Sequence, residues 1–216
     1  VTEEAGWRIE AAHDIPSQIS KRLKTLDQSP DHDVNLVKLV FEEGVKRIEG
    51  VPFKDTELET VELPYSLEAE NIMPTAFEGS LGPGSTVLIR QRVDGVNVEN
   101  ELKDFSDGYL PAGTAINYEV TVTGEAGWRI ETGNFSPSQI STRLETLAAD
   151  NFSHDVNLVK LVFEEGVKRI GWGGVQFNDT ELETVELPNS LEFFDSNVFE
   201  GSLGPGSTVL IRQRVD

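Results

Sequence analysis

The chain has no cysteine, one methionine and three histidines in 216 residues. Without thiols there is no disulfide framework, no thiol nucleophile and no Cys-ligated zinc. Positive charge is scarce as well: 18 Lys and Arg stand against 38 Asp and Glu, a formal net charge of −20. Such a chain is repelled by nucleic acid and by anionic lipid, which argues against both as partners. No apolar run approaches the roughly 18–20 residues that a membrane span needs, and no signal peptide is expected within these residues. The motifs of common enzyme classes are missing too: no G-x-S-x-G, no H-E-x-x-H, no P-loop, and no G-x-G-x-x-G between a strand and a helix. Carboxylates are so numerous that chance proximity accounts for any acidic pair better than a glycosidase dyad does. The expectation is a protein that is not an enzyme, with no catalytic residues, no cofactor and no metal.

What the chain does contain, it contains twice. DVNLVKLVFEEGVKRI at 33–48 returns unchanged at 155–170, DTELETVELP at 55–64 returns at 179–188, and FEGSLGPGSTVLIRQRVD at 77–94 returns at 199–216. The offset is 121 at Trp7/Trp128, 122 at Phe77/Phe199 and 124 at Leu63/Leu187. A fixed period defines the structural unit before any other feature is read. The division expected is a first unit at 1–94, a connector with a β segment at 95–121, and a second unit at 122–216. Each unit is long enough to bury a modest core of its own. Val1-Thr2 aligns with Val122-Thr123 and Asp216 with Asp94, so both ends fall inside the period, and the expectation is a fragment of a longer protein. Identity between tandem copies reports duplication, and so it cannot by itself mark a site.

Within the second copy, Ala115–Thr123 alternates and is rich in β-branched residues, which predicts a strand. Ser136-Pro137-Ser138-Gln139 has the form of a helix start, with Ser as N-cap, Pro at the first helical position and Gln as capping-box partner. Ile140, Leu144 and Leu147 follow as one apolar stripe; Ile19, Leu23 and Leu26 match them in the first copy, where Asp14 takes over capping from Ile15. Strands are then expected at 158–163, 182–188 and 207–213, with turns at Glu-Gly, Gly-Gly, Pro-Asn and Gly-Pro-Gly between them. Leu182, Val185 and Leu187 form L-x-x-V-x-L, which leaves Glu183, Thr184 and Glu186 facing outward. Connections this long suit parallel strands stacked one per coil, not hairpins. In the connector, Val96, Val98, Leu102, Phe105 and Tyr109 are apolar enough to predict ordered packing.

The stretch VFEEGVKRIGWGGVQFNDTELETVELPNSLEFFDSNVFEG resembles two BspA-like leucine-rich repeats. Leu182, Val185, Leu187, Pro188, Ser190, Leu191, Phe194, Val198 and Phe199 fill the family pattern in one coil. Leu158, Leu161, Phe163, Val167, Ile170, Val175 and Phe177 fill it in the coil before. The first copy repeats both, with Asn71-Ile72-Met73-Pro74 making its second coil two residues longer. The resemblance implies an α/β fold: a short, strand-rich leucine-rich-repeat-like solenoid, tandemly duplicated, with about one capping helix per unit. It also implies an extracellular or cell-surface bacterial module for adhesion or ligand recognition, whose partner is a host or neighbouring-cell protein or glycan. The alternative is a structural spacer in a long surface protein, with no ligand of its own.

The candidate binding residues are Trp172, Lys160, Glu183, Thr184 and Glu186. Trp172 lies in Gly171-Trp172-Gly173-Gly174, where the other copy has Glu49-Gly50-Val51-Pro52. A Trp among glycines makes a poor core residue and a good contact residue, although drift in a tolerant loop explains it too. Lys160, Val162, Glu183, Thr184 and Glu186, with Arg212 or Gln213 beyond, form the outward strand face; Lys38, Val40, Glu59, Thr60 and Glu62 match them. Trp7 and Trp128 sit in a shared AGWRIE stretch and are expected to pack. His32 and His154 each precede an Asp and are expected in a solvated turn or a local hydrogen bond, with His13 at the surface. Asp94, Asn97, Glu99, Asp104 and Asp107 form an oxygen-rich segment whose spacing departs from the calcium-loop pattern, so a solvated acidic loop is expected there.

Overall fold

The computed structural model describes residues 7–9, 36–48, 53, 56–93, 102–105, 109–123, 146–147, 154–170, 177, 180–195 and 197–212. The strands run in chain order as β1 (Trp7–Ile9), β2 (Lys38–Phe41), β3 (Thr60–Leu63), β4 (Thr86–Val93), β5 (Ala115–Val122), β6 (Asp155–Phe163), β7 (Arg169–Ile170), β8 (Leu182–Leu187), β9 (Phe193–Phe194) and β10 (Leu203–Ile211). They belong to two compact units. The first takes Val1–Ile89, Asp104–Ile116 and Asn151–Asp155; the second takes Arg90–Lys103, Asn117–Asp150 and Val156–Asp216.

In the first unit β1, β2, β3 and the leading half of β4 pair in parallel, in chain order. Lys38 pairs with Thr60 and Thr60 with Thr86, steps of 22 and 26 residues. The longer step contains the Asn71–Pro74 insertion. There a 3-10 turn, Ala69–Asn71, leads into Ile72, which bridges Ile48 in the preceding coil. In the second unit β6, β8 and β10 also run parallel, and Lys160–Thr184 and Thr184–Thr208 are equal steps of 24. On the far side of these coils β7 pairs with β9 in the same direction. In the main sheet each coil therefore contributes one strand, as expected from the spacing.

The strand sequences show why these residues make these strands. Leu58, Val61 and Leu63 of one coil and Leu182, Val185 and Leu187 of the other are all buried, as L-x-x-V-x-L requires. Leu36, Leu39 and Phe41, and Leu158, Leu161 and Phe163, fill the same inward positions one coil earlier. Aromatic rings line up behind them. Phe53 stacks on Phe77 at 5.6 Å with Phe41 edge-on to it at 6.0 Å, and Phe177 stacks on Phe199 at 5.5 Å.

The corners are held by serine hydroxyls. Ser66 Oγ donates to the Val45 carbonyl at 3.0 Å and accepts the Gly44 N–H at 2.9 Å, both in the coil before. Glu43 closes the same corner, its carboxylate accepting the N–H groups of Tyr65 and Ser66 at 3.1 and 3.3 Å. In the other copy Ser190 binds Val167 and Gly166 at 2.9 and 2.8 Å, and Glu165 receives Asn189 and Ser190 at 2.9 and 3.1 Å. Gly44 and Gly166 carry φ of 98° and 103°, a backbone region costly for residues with a Cβ, so E-G-V and P-x-S form one interlocked device. Ser80 and Ser85 cross-link the next corner through the carbonyls of Phe53 and Leu58, at 2.6 and 2.7 Å. Ser202 and Ser207 repeat those bonds to Phe177 and Leu182.

Several expectations need correction. The capping helices fall mostly on residues outside those described; Thr146 and Leu147 have helical backbone, but no α-helical element stands among the described residues, so a capping helix per unit is not supported. Phe194, assigned to the repeat's inner pattern, is half exposed on β9, a strand only two residues long. Val162, assigned to the outward face, is buried. In the connector Leu102, Phe105 and Leu110 are buried, whereas Val96 and Val98 lie outside the described residues.

Replacing Ser190 with Ala removes an acceptor from the Gly166 N–H and a donor from the Val167 carbonyl. The expected loss is about 1–2 kcal/mol in urea unfolding with an unchanged denaturant slope. A change near zero would show that the corner hydroxyl does not hold the coils together.

Candidate functional site

On the outward face of the second unit, equivalent strand positions line up charges of alternating sign. Arg90 on β4 faces Glu119 on β5 at 3.7 Å. Glu119 and Glu186 each stand 3.1 Å from Lys160 Nζ, one on either side, and Glu186 meets Arg212 Nη2 at 2.6 Å. The strand register explains the row: Lys160 pairs with Thr184 and Val162 with Glu186, so the long Lys160 and Glu186 side chains lean toward each other across one rung. In the first unit Lys38 and Glu62 repeat the central pair at 2.7 Å.

These charges act on one another. Burial works to lower the Lys160 pKa, but the hydrogen bonds it donates to Glu186 and Glu119, with their charges, outweigh this and hold the ammonium above the ordinary lysine value. The Arg212 guanidinium, helped by Lys160 and opposed by burial, holds the Glu186 carboxyl below the ordinary carboxylate value. The row is therefore largely neutralised from within, and its chief physical effect is to pin neighbouring strands in register.

The expected site residues are distributed unevenly over this face. Lys160 and Glu186 are brought together, with their charges engaged in the row. Glu183 is exposed and Thr184 half-buried on β8, next to that pair. Gln213 and Trp172 lie outside the described residues, as do His32, His13, Trp128 and the side chain of Trp7. His154 Nδ1 donates to the Thr114 carbonyl at 2.9 Å, a bond between segments 40 residues apart and not a local one. Of the acidic connector residues, Asp104 alone is among those described. Among the described residues no three His, Asp or Glu side chains gather as a metal site would require.

Sequence reasoning passed over one feature on the far side of the coils. Phe193 and Phe194 are 52% and 50% exposed. In the first copy the residues after Ser66-Leu67-Glu68 are Ala69 and Glu70, and the residue that bridges the preceding coil there is the buried Ile72. In the second copy Phe194 makes that bridge, to Ile170, and its ring remains in solvent. A signal was available: successive strand residues face opposite sides, so two adjacent aromatics on a two-residue strand cannot both be buried in one core. Ile170 directly precedes the segment 171–176, which carries Trp172.

The BspA-type leucine-rich repeat region is the family whose model matches, in six copies spread over residues 18–93 and 130–204. That is more than half of the chain, and the protein belongs to this family. The match reaches beyond the two coils per unit legible in the motif, taking in the segments that hold the Ile19 and Ile140 stripes. No curated protein and no solved structure matches the chain.

The shifted groups set opposite pH limits on the row. Glu186, with its folded pKa lowered, stabilises fully above its unfolded value near 4.5, and this is lost as pH falls through the lower folded value. Lys160, with its folded pKa raised, contributes below its unfolded value near 10.5, and this is lost as pH rises through the higher folded value. Lys160→Met is expected to cost about 1 kcal/mol at neutral pH and to flatten the alkaline limb of stability, read from thermal melts across pH. An alkaline limb identical to that of the parent protein would remove Lys160 from this account.

Proposed function

We propose that this chain is a non-catalytic recognition module of a bacterial surface or secreted protein, with units at 1–94 and 122–216 joined through 95–121. Its ligand is a protein or glycan of a host or neighbouring cell. The observation that carries this reading is the exposed Phe193–Phe194 pair. It differs chemically from the acidic surface around it and stands where the other copy has Asn71 and the buried Ile72. Exposed aromatic rings supply large contact area at low entropy cost and stack on sugar faces, so a paired patch is a natural contact site. Trp172 joins the proposed site because its segment continues directly from β7, the strand that pairs with β9. Glu183, Thr184, Lys160 and Glu186 are proposed as a second, polar contact face. Membership of the family supports the setting, since BspA-type repeats are usual in bacterial surface proteins. Among the described residues no helix is long and apolar enough to cross a membrane.

The spacer reading draws on a different observation. Lys38 to Thr86 and Lys160 to Thr208 span the same 48 residues although the individual coils differ by two, so each copy keeps the same length over two coils. A rigid extension requires that constancy, and recognition does not.

The discriminating experiment is a binding screen of the chain against immobilised matrix proteins, mucins and a glycan panel, with Phe193→Ala/Phe194→Ala and Trp172→Ala in parallel. A recognition module gives a saturable hit that weakens at least tenfold in the Phe double variant. No binding at high protein concentration would reject recognition in favour of the spacer.

A further inference from the structure

Two buried polar side chains converge on a residue that belongs to no strand. The Lys103 N–H donates to Gln91 Oε1 at 3.1 Å, and the Lys103 carbonyl accepts the Tyr118 hydroxyl at 2.8 Å. Gln91 comes from β4 and Tyr118 from β5, and they are 2% and 1% exposed. The other end of the Gln91 amide donates to the Arg90 carbonyl at 2.9 Å. Leu102, just before, is buried as well. Enclosed polar groups are costly to leave unpaired, so Leu102-Lys103 straps β4 to β5 on their inner side.

On the outward side the same strand is fastened by charge. Successive strand residues face opposite ways, so Glu119 points away from the buried Tyr118 and Val120. It stands 3.7 Å from Arg90 of β4 and 3.1 Å from Lys160 of β6. Arg92 reaches past β5 to Glu164, the residue after β6, at 2.9 Å. Backbone bonds complete the seating: the Thr123 N–H donates to the Val93 carbonyl and the Glu164 N–H to the Val122 carbonyl, both at 2.9 Å. All of these residues belong to the second unit.

The family model ends its first match at 93 and begins its second at 130, so the strap and β5 lie between the matched repeats. They nevertheless supply that unit with a strand and with a carboxylate for Lys160. A stacked coil contacts only its neighbours and can open as one cooperative piece. Tyr118 and Glu119 are consecutive residues of one strand, so parting either fastening lowers the cost of parting the other.

We propose that Leu102-Lys103 and residues 117–123 form one opening unit, and that the strap controls from the inner side whether Glu119 engages Lys160 on the outward side. With the strap closed, the cation lies between two carboxylates. With it open, Lys160 retains Glu186 and loses Glu119, and the polar contact face gains charge to offer a ligand. That last consequence rests on the contact-face reading above, whereas the coupling of strap to strand does not.

The test is native-state amide exchange of the full 216-residue chain in urea below its unfolding transition. The amides of Lys103, Thr123 and Glu164 are expected to share one opening free energy and one urea slope, both smaller than those of β8 at 185–187. Tyr118→Phe removes the hydroxyl, keeps the ring, and is expected to raise exchange about fivefold at all three amides. Gln91→Leu removes the strap's other partner and is expected to give the same pattern. Glu119→Gln is expected to raise exchange at Lys103 about two- to threefold from the opposite side of the strand, because coupling between two sites is reciprocal. Lys103 exchange unchanged by Glu119→Gln would overturn the proposal by making the strap a purely local bond. Urea slopes for Lys103, Thr123 and Glu164 equal to that of β8 would overturn it as well, since the strand would then open only when the whole unit unfolds.

Discussion

A serine hydroxyl that ties each coil to the one before is the constraint on which this architecture rests. Parallel strands joined by long connections leave backbone groups at every corner that the strand ladder cannot reach, and buried groups of that kind require partners. Ser66 and Ser190 supply them in both directions, accepting a glycine N–H and donating to a valine carbonyl two dozen residues back. The Glu43 and Glu165 carboxylates complete the clamp by taking two further N–H groups each. Register depends on it. A slip of one residue would turn Val61 or Val185 outward and bring a glutamate into the core. The same clamp therefore decides which residues the protein shows to its surroundings.

With register set, the outward face follows from the even spacing of its charges. Arg90, Glu119, Lys160, Glu186 and Arg212 alternate in sign across adjacent strands, so each carboxylate lies between cations and each interior cation between carboxylates. A face engaged with itself in this way has less charge to offer a ligand than its composition implies. What then distinguishes one surface from another is where the copies depart from their common pattern. The departures lie in the connections, which tolerate change because the clamps and strands do not depend on their sequence. Phe193 and Phe194 belong to that class, on a scaffold held constant beneath them.

Much of the scaffold was legible in the residues. L-x-x-V-x-L, repeated at coil spacing, identified the inward positions of β3 and β8, because a buried face of period two leaves little freedom. P-x-S-L marked the coil corner, although the hydrogen bonds that make its serine necessary join residues far apart in sequence. Phe194 was misjudged because the pattern records the residue type that usually stands at a position, and only the neighbouring coil decides whether a ring there is covered. Val162 was misjudged for a similar reason: alternation assigns it to the outer face, yet it is buried.

By itself, then, the sequence determined the period, the strands and the inward residues, because these follow from local alternation and from a repeat that can be read directly. Tertiary structure decided which charges neutralise one another and which aromatic residues stay in solvent. The bridge between coils makes the division plain: Ile72 makes it in the first copy and is buried, while Phe194 makes it in the second and is half exposed. Burial is a property of the contact between a residue and its cover, and local sequence does not specify that cover.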